Sequence, residues 1–239
     1  MALYVYAITA SSSPHRLDDL EGVGSQPSSP RAITAGPLAA IVSDVSEEIR
    51  PRRRDLLVHQ TVQERLMAAG GVLPMRFGYV APDEETVRRA LEADAEGHLA
   101  ALERLRDCAE YHVRAVQEDE EPLLRRILDE VPEARDLDAR IRGGDEDPRL
   151  PLALGELVAG QVQARQQAVA DELARALEPF ARERVAQEAS GDAFLNLSLL
   201  VPDDRADALL EAGAGLDRQV GDGAALRIVG PLPPYSFVG

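Results

Sequence analysis

The side chains able to do chemistry are few and scattered. The histidines are His15, His59, His98 and His112. No two lie within a helical turn of each other, so none forms the closely spaced pair that usually anchors a metal. His98 borders an apolar helix stripe and His112 falls on the polar face of a strand, where a surface or satisfied histidine is the simpler reading. The one cysteine, Cys108, has neither a C-x-x-C partner nor a surrounding G-x-S-x-G and reads as a small buried thiol. The segments "GVGSQP" (22–27) and "GAGLDR" (213–218) begin G-x-G but lack the sixth-position glycine, and the second follows a helix rather than a strand. The chain has no lysine for a phosphate-binding loop. The acidic run Glu118 to Glu121 reads as a solvated face. No catalytic residue, cofactor or metal is expected from these patterns.

Two basic features remain. Arg50, Arg52, Arg53 and Arg54 form the one dense basic patch on an acidic chain. They fit a contact for an acidic partner or for carboxylates elsewhere in the chain, and equally an exposed linker that balances local acid. Arg76 sits in the odd stretch "GGVLPMRFGYV" (70–80). Read as a strand, this stretch puts Met75, Phe77 and Tyr79 on a core face and Arg76 on the other, toward a second domain or a partner. Arg52, Arg53, Arg54 and Arg76 are therefore the candidate partner-binding residues.

The elements that must hold these groups follow from composition and period. The chain has 239 residues, 45% of them hydrophobic, with a formal charge of -16. It can bury a core, and it repels nucleic acid and anionic membranes. The solitary cysteine fits a reducing cytoplasm. The N-terminus lacks the basic region of a signal peptide, and no run approaches the ~20 apolar residues of a membrane helix.

Residues 2–9 are apolar on both faces, as in a central strand. A Ser/Pro/Gly-rich loop covers 10–30. Gly36-Pro37 divides 31–45 into a hairpin. The stripe Val58, Val62, Leu66 and Ala69 predicts a helix over 55–69, stopped by Gly70-Gly71. Pro82 and Asp83 open a second helix striped by Val87, Leu91, Ala95, Leu99 and Leu102. "AEYHVRAV" alternates Ala109, Tyr111, Val113 and Ala115 against Glu110, His112 and Arg114, as a strand does. Pro122 starts a helix striped by Leu124, Ile127, Leu128 and Val131. A long helix is expected over 152–188, kinked or split at Pro179 and stopped by Ser190-Gly191-Asp192. "AFLNLSLLV", a short helix through Leu209 and Leu210, "ALRIVG" and an extended tail "PLPPYSFVG" complete the chain. The order is that of an α+β protein of two domains. Residues 1–105 form an N-terminal α+β domain. Residues 106–239 carry a β–α–β–α–β skeleton, ferredoxin-like with an enlarged helical insert.

In three blocks the chain resembles the gas vesicle protein F/L family: the opening "LYVYAI", the block "HQTVQERLMAAGGVLPMRFGYV" (59–80), and the closing "FLNLSLLVPDD…LRIVGPLPPYSFVG". The resemblance implies two α+β domains, the second a modified ferredoxin fold. It also implies a gas vesicle accessory or minor structural protein, not an enzyme, that contacts the hydrophobic shell subunit, gas vesicle protein A, and possibly other gas vesicle accessory proteins, during assembly in the cytoplasm. A soluble acidic binder would cover the apolar surface of that subunit before it assembles. The alternatives are a small-molecule-binding regulatory α+β module, which rests on fold analogy, and an enzyme built around His112 or Cys108.

Overall fold

The computed structural model describes residues 2–46, 48–188 and 191–238, so Ser190, part of the expected helix stop, lies outside the described residues. The chain is mixed helix and sheet, with two antiparallel sheets. It divides into two compact units, one made of Met1–Tyr111, Leu200–Asp203 and Gly230–Gly239, the other of His112–Leu199 and Asp204–Val229. The expected division lay between 105 and 106, with the tail in the second domain; here the tail residues belong to the first unit.

In the first unit β1 (Ala2–Ala10) is the central strand the sequence predicts. It pairs antiparallel with β3 (Leu38–Val45), from Ala2 opposite Val45 to Ala10 opposite Leu38, with an irregularity between Val5 and Ala7. β2 (Arg31–Ala35) closes the hairpin on β3 across Gly36-Pro37. Gly36 turns there at φ 57°, a left-handed conformation that costs glycine nothing. β4 (Val72–Pro74) and β5 (Val80–Ala81) both pair with β1, giving the order β2-β3-β1-β4 with β5 on the same side of β1 as β4.

One face of this sheet is covered by α1 (Arg53–Met67) and by the 11–30 segment. That segment has no regular structure, yet Leu17, Leu20 and Val23 join the core with Tyr4, Tyr6, Ile41, Val62 and Leu66. A side chain at Gly22 would overlap the Ser28 carbonyl oxygen, so glycine lets the loop lie flat on β3. The other face is covered by α2 (Glu84–Ala93) and α3 (Ala95–Leu105), which bury Val87, Leu91, Leu102 and Leu105.

Two expectations fail here. The single strand over 72–80 is interrupted: β4 ends at Pro74, and Gly78 at φ 92° makes a turn. Proline cannot donate to a ladder, and a left-handed residue cannot continue one. Met75, Phe77 and Tyr79 therefore do not share a core face, and Tyr79 is 50% exposed. The single helix after Pro82 is two helices, separated at Asp94 (φ -137°, ψ 43°), and Leu99 of its expected stripe is exposed.

The second sheet has the order β7-β8-β6-β9. Its strands are β6 (Cys108–Gln117), β7 (Glu183–Ala186), β8 (Ala193–Pro202) and β9 (Ala224–Leu232). Between β6 and β7 run α4 (Glu121–Glu130), α5 (Pro132–Arg142) and α6 (Arg149–Leu177), packed on Leu123, Ile127 and Ala134. The apolar anchor of α4 is thus Leu123; Leu124, placed on the stripe by its spacing, is largely outside it. α6 stops at Leu177, followed by one 3-10 turn over Glu178–Phe180. At 29 residues it is about 44 Å long.

The expected helix over 181–188 is instead β7, held to β8 by the Gln187 N–H on the Asn196 carbonyl at 2.9 Å. Pro179 removes the helical donor and the chain turns back as an edge strand. The element order is therefore β-α-β-β-α-β, one strand more than the sequence pattern displays. α7 (Ala206–Val220) is longer than the short helix expected. Its Gly213, read above as a G-x-G start, packs against Ile228 of β9. The tail is not wholly extended, since Tyr235–Phe237 form a 3-10 turn.

Candidate functional site

Within the first unit, the stretch around Phe77 and the tail around Tyr235 meet on one histidine of α1. His59 is 4% exposed. Its Nδ1 lies 2.9 Å from the Tyr4 hydroxyl and its Nε2 3.0 Å from the Tyr235 hydroxyl. A neutral imidazole has one donor and one acceptor, and a hydroxyl serves either. Burial pushes the His59 pKa down to about 4, so the ring is neutral at pH 7. Burial likewise pushes Tyr235 up to about 12, with the Glu110 carboxylate adding to it, and raises Tyr4 and Tyr6.

The surroundings fix this arrangement from several elements. The Gly78 N–H donates to the Tyr4 hydroxyl at 3.1 Å, and Phe77 packs edge-on against both Tyr4 and His59 with ring centres 5.8 and 5.6 Å away. The Tyr6 hydroxyl accepts the Val23 N–H and shares a hydrogen bond with Ser43 Oγ, each at 2.9 Å. Gln63 donates its amide to the Tyr6 carbonyl. In the tail, Glu110 accepts from the Ser236 N–H at 2.9 Å and from its hydroxyl at 2.6 Å, and Arg104 donates to the Phe237 carbonyl at 2.6 Å. Phe237 is 4% exposed. Both ring nitrogens of His59 are engaged by tyrosines, so the cluster ties β1, α1 and the tail together.

The candidate arginines fall at two separate places on the first unit. Arg52, Arg53 and Arg54 are exposed at the start of α1, with Arg54 3.7 Å from Glu21. Cations at this end of a helix oppose its dipole, so local helix stability does not explain them. Arg53 and Arg54 line a groove of about 460 Å³ with Leu20, Leu57 and Val58. Leu56 and Leu57 are 43% and 53% exposed beside them. Asp55, the acidic residue of that turn, points inward and accepts the Gly24 N–H at 2.9 Å. Arg76 is elsewhere, at a cleft of about 610 Å³ that it lines with Ile8, Met75, Tyr79 and His98.

The remaining candidates have local explanations. His15 bonds Thr9 Oγ1 at 2.9 Å, His112 is exposed on β6, and Cys108 is buried. Among the described residues no three His, Cys, Asp or Glu side chains gather as a metal site would require, and no helix is long and apolar enough to cross a membrane. Sequence reasoning placed Glu110 on a polar strand face, but it is fully buried under the tail. The roles of His59, Tyr4 and Tyr235 left no signal in spacing, since the partners lie 55 and 176 positions from His59.

Three comparisons bear on this architecture. The family model of the gas vesicle synthesis protein GvpL/GvpF matches residues 2–239. Gas vesicle protein F of Streptomyces sp. (strain CB03234) is 42% identical over 239 residues, covering all of both chains. Among solved structures, the crystal structure of GvpF from Anabaena sp. PCC7120 superposes with a TM-score of 0.85 at 20% identity, over 100% of this chain and 98% of that one. GvpF from Microcystis aeruginosa gives 0.78 at 22% identity, over 100% and 99%.

Proposed function

The chain belongs to the GvpL/GvpF family of gas vesicle synthesis proteins, and from that premise we propose that it is a non-enzymatic accessory or minor structural protein that binds the hydrophobic shell subunit, gas vesicle protein A, while vesicles assemble in the cytoplasm. The observation that carries the reading is the extent of the likeness: it runs through both units and includes the Phe77 and Tyr235 segments that meet on His59. The surface that supports it is the groove beside α1. Exposed Leu56 and Leu57 offer apolar contact, and Arg52, Arg53 and Arg54 supply a basic rim on a chain of charge -16. An apolar centre with charged edges is the usual make-up of a docking surface. The net negative charge would keep a loaded complex dispersed.

The test is co-expression with the shell subunit and capture through a tag on this chain. Leu57→Asp combined with Arg53→Glu should reduce capture at least tenfold and leave the melting temperature within a few degrees, since both side chains are exposed. Normal vesicles after deletion of the gene, together with no capture by the unmodified chain, would sink the reading.

A further inference from the structure

The cleft that Arg76 lines is not used by the reading above. It lies in the first unit, where the segment 75–79 leaves the sheet beneath α3. A smaller recess of about 200 Å³ adjoins it under α2, lined by Val5, Ala40, Val87 and Leu91. Ile8, Met75, Tyr79 and His98 line both, so these four side chains stand between the larger lobe and the recess. The size of the larger lobe is that of an ordinary small-molecule site, and the walls are mainly apolar.

Three polar features distinguish it from a packing defect. Arg76 is exposed at the larger lobe and makes no ion pair among the described residues. His98 Nδ1 is buried without a hydrogen-bond partner. Buried ring nitrogens are normally satisfied, so an orphan between the larger lobe and the recess calls for an acceptor or donor from outside. Asp94 also lines the larger lobe; its negative charge tolerates one anionic group opposite Arg76 better than two. Arg104 is occupied in holding the tail carbonyl of Phe237 and adds positive potential without being available as the ligand's partner.

We propose that this cavity binds an aliphatic monocarboxylate of medium chain length. The carboxylate sits in the larger lobe, paired with the Arg76 guanidinium and accepting from His98 in its Nδ1–H tautomer. The alkyl chain passes Met75 and Tyr79 into the recess among Val5, Ala40, Val87 and Leu91. Charge complementarity selects the head group, and the apolar recess selects the tail. The proposal does not depend on the gas vesicle reading, because the α1 groove and this cavity have no lining residue in common.

The test is calorimetric titration of the full chain with decanoate below its micelle concentration, with 1-octanol and decyltrimethylammonium as comparators and the His98 ring signals followed by NMR. Saturable one-to-one binding of decanoate is expected, with the His98 signals shifting on binding and neither comparator saturating. Arg76→Gln should weaken binding at least tenfold while the melting temperature holds, since Arg76 supports no other described side chain. Ala101→Phe, which fills the larger lobe from α3 and leaves both polar groups in place, should abolish it. No saturable binding overturns the proposal. So does octanol binding as tightly as decanoate, or unchanged affinity in Arg76→Gln. Loss of shell-subunit capture with decanoate binding intact would refute only the function proposed above.

Discussion

The neutral, walled-in state of His59 makes the stability of the protein depend on pH in a defined window. In the unfolded chain a histidine titrates near 6.5, and in the folded chain burial holds His59 near 4. The folded form therefore resists a proton that the unfolded form accepts. Stability from this source is complete above pH 6.5 and is lost as the pH falls through 6.5 toward 4. A difference of about 2.5 units corresponds to about 3 kcal/mol over the whole window, of which about 2 kcal/mol has gone by pH 5. For a chain of this size that is a fall of roughly 4–8 °C in melting temperature between pH 7 and pH 5.

Urea unfolding at half-unit steps of pH, followed by circular dichroism, measures it directly. Carboxylates held low by their partners, such as Asp83 under the Thr86 N–H, lose their contribution only nearer pH 4, below most of the window. His15 is also held down by burial and acts in the same direction, so the His59 share is taken by difference. His59→Gln supplies the difference, because an amide offers the two hydroxyls a donor and an acceptor but no titrating ring. A flat profile from pH 7 to 5 in the unmodified protein would refute the reasoning, as would an equal slope in the variant.

Four further substitutions test the same structure. Tyr235→Phe removes the nearer partner of His59 Nε2 and should cost about 1–3 kcal/mol in urea unfolding. Glu110→Ala strips the acceptor from the Ser236 N–H and hydroxyl; it should cost about 3 kcal/mol and bring faster hydrogen exchange to the Ser236 and Phe237 amides than to those of β1. Gly223→Ala should cost about 2–4 kcal/mol, because φ is 76° there and the added carbon overlaps the Asp119 carbonyl. Gly36→Ala, at φ 57° but in open space, should cost only about 1–2 kcal/mol by the same urea unfolding.

Much of the frame could be read from residue pattern because its signals are local. β1 declares itself by being apolar on both faces, the β2–β3 hairpin by Gly36-Pro37, and α1 by a stripe at helical spacing. What stayed hidden depends on distant neighbours. "ERVA" is too short and too polar to declare a strand by its own pattern; it becomes one because β8 offers an edge. The break at Asp94 left no mark in the hydrophobic spacing, and it is what turns Leu99 of the expected stripe out to solvent. The arginine patch was legible as composition, and its apolar neighbours Leu56 and Leu57 emerged only when α1 was placed on the sheet. The second cavity was illegible, since its walls come from β1, β3, β4, α2, α3 and the 75–79 segment.

The seat of Tyr235 on His59 also bears on how the protein comes off the ribosome. Most of the first unit has been synthesised by Tyr111, yet its central histidine lacks one partner and Glu110 lacks Ser236 until residues 235 and 236 are added. The intervening residues, mostly the second unit, take roughly 6–24 s to add at ordinary elongation rates. During that interval the first sheet and its helices stand with the tail position open to water. A truncation just before Tyr235 would keep both sheets, since β9 ends at Leu232, and would lose the clasp on His59 and Glu110.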